Sequence, residues 1–257
     1  MRPKLKEKKM INDGIKKSGS NVTSFLMVGQ SNMAGRGDFG EVESIKNPDC
    51  YMLRMGRWQI MSEPINPDRA VFDNKFHSGV NLCASFADSY AKHFNKKIGL
   101  IPCADGGTRI AQWQPGEILF DHAVMMAKLA MRTSDFGGIL WHQGESDCHE
   151  EATISVYKER ALNTIFELRK TLSAEDLPFI FGEVSEDITP EWKVYEYPKQ
   201  MNSILREMQK EIPNSRLVSV KGLTLKPDGI HFDSASLRKL GNRYFDAYLE
   251  LVGNKQD

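Results

Sequence analysis

Four short blocks hold the side chains that could do chemistry. In Gly29-Gln30-Ser31-Asn32-Met33-Ala34-Gly35-Arg36-Gly37, a serine stands just beyond an apolar run and is flanked by glycine. From such a place a hydroxyl can face a cleft, with its own N–H aimed where an oxyanion would form. An N-capping serine would look the same. In Asp105-Gly106-Gly107-Thr108-Arg109 the paired glycines allow unusual dihedrals, so a main-chain N–H can become an oxyanion donor, or the pair simply makes a tight turn. In Trp141-His142-Gln143-Gly144-Glu145-Ser146-Asp147, Gln143 offers an amide donor suited to a third oxyanion contact, and Glu145 could orient a neighbour. Finally, Pro227-Asp228-Gly229-Ile230-His231-Phe232 sets an aspartate three residues before a histidine on one loop. That spacing lets the carboxylate fix the imidazole tautomer and stabilise the imidazolium. Each block alone has a bland reading; together they supply nucleophile, donors, base and orienter.

Something must bring these blocks together, and the apolar pattern says what. Compact apolar runs at Thr23–Val28, Ile98–Cys103, Gly138–His142, Pro178–Gly182 and Arg216–Val220 read as strands buried on both faces of a parallel sheet. Between them, helical periodicity predicts helices over Val80–Phe94, Asp121–Arg132, Glu151–Leu172, Tyr197–Ile212 and Ser234–Val252. The alternation predicts an α/β fold, a three-layer α/β/α sandwich on a central parallel sheet of about five strands. Ligands bind at the carboxyl ends of such strands, where these blocks fall. Residues 1–20 read as a mobile basic tail, and 21–257 as a single domain. An irregular, polar insertion at about 35–79 reads as an excursion beside the site.

The blocks G-Q-S-N-M-A-G-R-G, G-G-T-x-I-A-Q-W, W-H-Q-G-E-S-D and D-G-I-H-F resemble those of the SGNH, or GDSL-like, hydrolase superfamily, and within it the sialate O-acetylesterase and acetylxylan esterase group (carbohydrate esterase family six). They keep that family's order and span Gly29 to Phe232. The resemblance implies a flavodoxin-like sandwich without metal or other cofactor. It implies Ser31 as nucleophile, an oxyanion hole from the N–H groups of Ser31 and Gly107 with Gln143, and Asp228 with His231 completing the triad. Glu145 falls on a family glutamate sometimes proposed as the triad acid; Asp228 is preferred because the D-x-x-H loop fixes its geometry more tightly. Asn32 and Arg109 are candidates for binding substrate. The chain departs from the family pattern at Arg109, where a small polar residue is usual, and at His77-Ser78-Gly79-Val80, which lacks a glycine-proline pattern.

Composition narrows the partners. The 257 residues are 40% hydrophobic and 26% charged, with 34 Lys+Arg against 34 Asp+Glu. That balance gives no field to draw nucleic acid or an anionic membrane. The lysines before Ser20 read as a solvated tail. No apolar run reaches signal-peptide or membrane-span length, so the reading is a cytoplasmic protein. Cys50, Cys83, Cys103 and Cys148 form no C-x-x-C pair and read as reduced, buried thiols. A metal held by His142, Glu145, Asp147 and His149 would want a helical spacing that this segment lacks. The expected activity is a serine esterase releasing acetyl from a small acetylated saccharide; nothing in the pattern sets an oligomeric state. The rivals are a lipase or thioesterase on the same scaffold, and a non-catalytic carbohydrate-binding protein using Trp58, Trp113 and Trp192 as platforms.

Overall fold

The computed structural model describes residues 21–67, 77–191 and 193–253. The basic tail, Trp192 and part of the 35–79 excursion lie outside the described residues. Among those described, seven strands form one sheet: β1 (Val22–Gly29), β2 (Cys50–Arg54), β3 (Arg57–Ile60), β4 (Lys97–Pro102), β5 (Asp135–His142), β6 (Phe179–Gly182) and β7 (Ser215–Val218). Their order is β3-β2-β4-β1-β5-β6-β7, parallel throughout except for the β2–β3 pair.

The expected count of about five is therefore corrected to seven. The two additional strands form a hairpin inside the stretch read as irregular. Its two-residue turn, Met55-Gly56, has φ of 51° and 73°. Paired positive φ values usually announce themselves as Asn-Gly, so a methionine here conceals the turn. Strand β3 is also an exposed edge with no compact apolar run.

Among the described residues six α-helices accompany the sheet: α1 (Ser31–Ala34), α2 (Leu82–Phe94), α3 (Ile118–Ala130), α4 (Glu151–Thr171), α5 (Pro198–Glu211) and α6 (Ser234–Gly253). The alternation of side chains along β1 divides the core. Phe25 and Met27 enter a cluster with Phe86 and Tyr90 of α2 and Leu240, Tyr244 and Tyr248 of α6. Leu26 and Val28 face the other way, onto Ala123 and Ala127 of α3, Ile154, Tyr157 and Ala161 of α4, and Leu205 of α5. Each large apolar side chain so buried contributes about 1.5–3 kcal/mol, which makes the central strands a stiff platform. No helix among the described residues is long and apolar enough to cross a membrane.

From β1 the chain runs out to β2 and β3, returns to β4 beside β1, and then crosses to β5 on the other side. The carboxyl ends of β4, β1 and β5 therefore flank the point where strand order reverses, the expected crevice of an open α/β sheet.

Candidate active site

Strand β1 ends at Gly29, whose φ is +132° and where a Cβ would stand 2.0 Å from the His142 carbonyl oxygen. Only glycine lets β1 and β5 approach so closely at this edge. Beyond it, the Gln30 N–H donates to His142 O at 2.9 Å, and Ser31 opens α1 almost fully buried, at 5% exposure. The Asp105 N–H donates to Gly29 O at 2.9 Å, bringing the β4 loop alongside. A Cβ on Gly106 would lie 3.5 Å from Ser31 Cβ. Gly107 is exposed, with φ +71°. Among the described residues, neither the N–H of Ser31 nor that of Gly107 has a hydrogen-bond partner, and the Ser31 hydroxyl has none either. The structure thus brings Ser31 and the 106–107 turn together, with two unused main-chain donors beside a hydroxyl.

His231 is buried on the loop before α6, and its Nδ1 lies 2.8 Å from Asp228 Oδ2. Asp228 Oδ1 accepts from the N–H of Ile230 and of His231, both at 3.0 Å. Burial alone would raise the Asp228 carboxyl, but these bonds from the His231 ring and the two N–H groups outweigh it and hold it well below the usual carboxylate range. An ionised carboxylate can only accept, so Nδ1 carries the proton and Nε2 presents a lone pair. His231 Nε2 and Ser31 Oγ are not hydrogen-bonded to each other in this structure. Lys226, which sequence reasoning passed over, closes the loop: its N–H donates to His231 O at 2.7 Å and its Nζ to Arg36 O at 2.9 Å.

Gln143 lies behind this edge, fully buried. Its Nε2 donates to Thr108 O at 3.1 Å and to Asp147 Oδ2 at 2.6 Å, while its Oε1 accepts from the Tyr157 hydroxyl at 2.9 Å. Both amide protons are thus engaged, and reaching an oxyanion would require Gln143 to release one of those bonds. What it does here is hold the carbonyl of Thr108, next to Gly107. Asp147 also accepts from the Ile110 N–H at 3.0 Å; burial pushes its carboxyl up to about 6 against the pull of these two bonds. Gln30 is another residue that sequence reasoning left without a role. Its Oε1 accepts from the N–H of Ser146 at 3.2 Å, joining the nucleophile turn to the β5 loop.

Asn32, expected among substrate-binding groups, is 1% exposed and wholly engaged within the protein. Its Nδ2 donates to Glu145 Oε1 at 2.6 Å and to Ile230 O at 3.3 Å, and its Oδ1 accepts from the Phe232 N–H at 3.1 Å. Glu145 therefore meets Asn32, while the His231 ring meets Asp228. Behind Glu145, the Tyr244 hydroxyl donates to Trp141 O at 2.8 Å and so accepts from His142 Nδ1–H at 3.0 Å. Burial lowers His142, against the opposing charge of Glu145, and keeps it neutral.

Arg109 stands at the rim with its side chain 40% exposed, its Nη2 2.7 Å from His149 Nε2 and 3.5 Å from Glu150 Oε1. Burial, then Lys193 and Arg109, lower His149. Among the described residues no three His, Cys, Asp or Glu side chains group as metal ligands. Trp113 is fully buried and so is not an open platform for a sugar ring, while Trp58 is half-buried with its ring against Gly99 and its Nε1 donating to Thr133 Oγ1 at 3.0 Å.

Residues 21–250 match the family model described as "Carbohydrate esterase, sialic acid-specific acetylesterase". The chain is 29% identical over 244 residues to a probable carbohydrate esterase of Arabidopsis thaliana, covering 88% of this chain and 89% of that one. The X-ray structure of that Arabidopsis protein superposes with a TM-score of 0.76 at 28% identity, covering 90% and 98% of the two chains. A carbohydrate acetylesterase from Xanthomonas citri shares the fold at TM-score 0.61 and 16% identity, over 90% of this chain and 57% of that one. A lipase/acylhydrolase from Enterococcus faecalis does so at 0.53 and 12%, over 90% and 96%.

Proposed function

Because the chain belongs to the carbohydrate esterases of the sialic acid-specific acetylesterase family, on the SGNH hydrolase fold, we propose that it hydrolyses O-acetyl esters of a small saccharide through an acetyl-enzyme on Ser31. The observation that carries this reading is the convergence of three distant stretches on one sheet edge. These are Ser31, the turn that ends at Gly107 with the unused Gly107 N–H, and the Asp228–His231 pair at 2.8 Å, whose loop is bonded on both sides of His231 to the Asn32 side chain next to Ser31.

The chemistry runs in two acyl transfers. Ser31 Oγ attacks the acetyl carbonyl carbon as its proton passes to His231 Nε2, whose lone pair is available because Nδ1–H is held by Asp228. The carbonyl oxygen becomes an oxyanion between the N–H groups of Ser31 and Gly107. Gln143 keeps that turn in place through the Thr108 carbonyl and can become a third donor if it lets that carbonyl go. Collapse breaks the bond to the sugar oxygen, which leaves with the proton from His231. Water then attacks acetyl-Ser31, gives its proton to His231, and acetate leaves as Ser31 recovers that proton. The scheme needs no cofactor. Arg109, at the rim, is the proposed contact with the saccharide.

A fluorophosphonate probe tests the site directly. Mass spectrometry of a peptide digest should find the adduct on Ser31, and His231→Ala should slow labelling at least about 100-fold, the lower end of what a positioned base contributes. Labelling of another serine, or none, would contradict the proposal.

A further inference from the structure

We infer that Asn32, held by Glu145, is the positioning residue that fixes the base loop against the nucleophile. This rests on the esterase reading above and deepens it.

Asn32 is covalently next to Ser31, and its side chain bonds the two peptide groups on either side of His231. Nδ2 reaches Ile230 O at 3.3 Å and Oδ1 receives the Phe232 N–H at 3.1 Å. The two partners lie 198 and 200 residues away along the chain, so this single amide measures the gap between base and nucleophile. An amide that must donate on one side and accept on the other has one correct orientation. Glu145 sets it: Oε1 accepts from Nδ2 at 2.6 Å, a short bond in a site where Glu145 is 1% exposed. Glu145 is itself anchored through its turn, since Gln30 Oε1 accepts from the N–H of Gly144 at 3.4 Å and of Ser146 at 3.2 Å. The order of control runs from the β5 loop through Glu145 to Asn32, and from Asn32 to both flanks of His231. Glu145 thus acts through geometry, whereas a triad acid acts through its charge on the ring. A displacement of about 1 Å at a reacting group can cost on the order of 100-fold in rate, which gives such a clamp its leverage.

The two roles separate cleanly. If Glu145 positions Asn32, Glu145→Gln keeps an acceptor oxygen for Nδ2 and should retain at least about a tenth of wild-type kcat on an aryl acetate. Its acid limb of kcat against pH should keep the wild-type midpoint. Glu145→Ala should lose on the order of 100-fold in kcat with KM within about threefold. Asn32→Asp is isosteric and keeps the Phe232 bond but loses both donations; it should lose a similar factor with KM again little changed. Circular dichroism and a melting curve establish folding for each. Should Glu145→Ala fail to fold, the Asn32→Asp and Glu145→Gln pair carries the comparison. A folded Asn32→Asp with wild-type kcat would overturn the clamp, as would a Glu145→Gln that falls 100-fold or moves the acid limb. Wild type and Ser31→Ala, run beside these, read the esterase assignment separately. An inactive wild type overturns both readings, whereas an active one with an indifferent Asn32→Asp overturns the clamp alone.

Discussion

Asp228 holds His231 at two points, accepting from the ring Nδ1 at 2.8 Å through one oxygen and from the main-chain N–H of the same residue at 3.0 Å through the other. The ring is thereby fixed in orientation and tautomer together. Asp228→Asn keeps the shape but offers an amide that can donate to Nδ1, which moves the ring proton to Nε2 and removes the base. We expect kcat on an aryl acetate to fall by about 10³–10⁴-fold, as in serine triads generally, with KM little changed. A loss below tenfold would assign the tautomer to some other group.

The same pairing predicts the shape of the pH profile. Asp228 is held well below the usual carboxylate range, so it stays ionised while the imidazole base takes up its proton. The acid side of kcat/KM should fall tenfold per pH unit, the signature of one proton. A slope of two would mean that a second group titrates alongside. For stability the sign is that of a depressed carboxylate. The contribution of Asp228 is present above its unfolded value, about 3.9, and is lost only as pH drops through the lower folded one.

Asp147 has the opposite sign. Burial raises it to about 6, so the folded state binds the proton more tightly than the unfolded chain. Its contribution is full below about pH 3.9 and is lost as pH rises through about 6. Asp147→Asn keeps an oxygen able to accept from both Ile110 N–H and Gln143 Nε2, as Oδ2 does at 3.0 and 2.6 Å. The variant should lose less stability than wild type between pH 4.5 and 7, read from melting temperature against pH. Parallel curves would place the titration elsewhere.

Much of this architecture is legible in the sequence, for a physical reason. A strand buried on both faces reads as a compact apolar run, as in β1, β4, β5 and β6, whereas β7 is an edge strand with Arg216 and Leu217 half-buried and shows in the sequence only through Leu217-Val218. In the hairpin β2–β3, sequence reasoning passes over the short apolar run at residues 50–53 of β2, while β3 is a largely exposed edge and the turn through Met55-Gly56 is not a familiar turn pair. In the site, Ser31, Asp228 and His231 stand out because their chemistry is rare in combination. Gln143 and Asn32 show the limit. An amide has the same composition whether it points at substrate or at a neighbouring carbonyl, and only the fold reveals that Thr108, Asp147, Glu145, Ile230 and Phe232 are its partners.

Gly29 gives a prediction free of the chemistry. A methyl there would lie 2.0 Å from His142 O at a φ of +132°, so Gly29→Ala must part β1 from β5 at the edge that carries Ser31. Destabilisation above about 3 kcal/mol is expected, within the range for forced overpacking plus backbone strain, and is measurable by urea titration. A change below about 1 kcal/mol would show that this edge yields.

The most direct test of the account is turnover of an aryl acetate and of acetylated saccharides by wild type and by Ser31→Ala, with acetate release as readout and circular dichroism as the check on folding. The account predicts steady acetate release by wild type and a loss of at least about 10³-fold in folded Ser31→Ala. A folded variant that keeps turnover within tenfold of wild type would contradict the claim that Ser31 carries the acyl group.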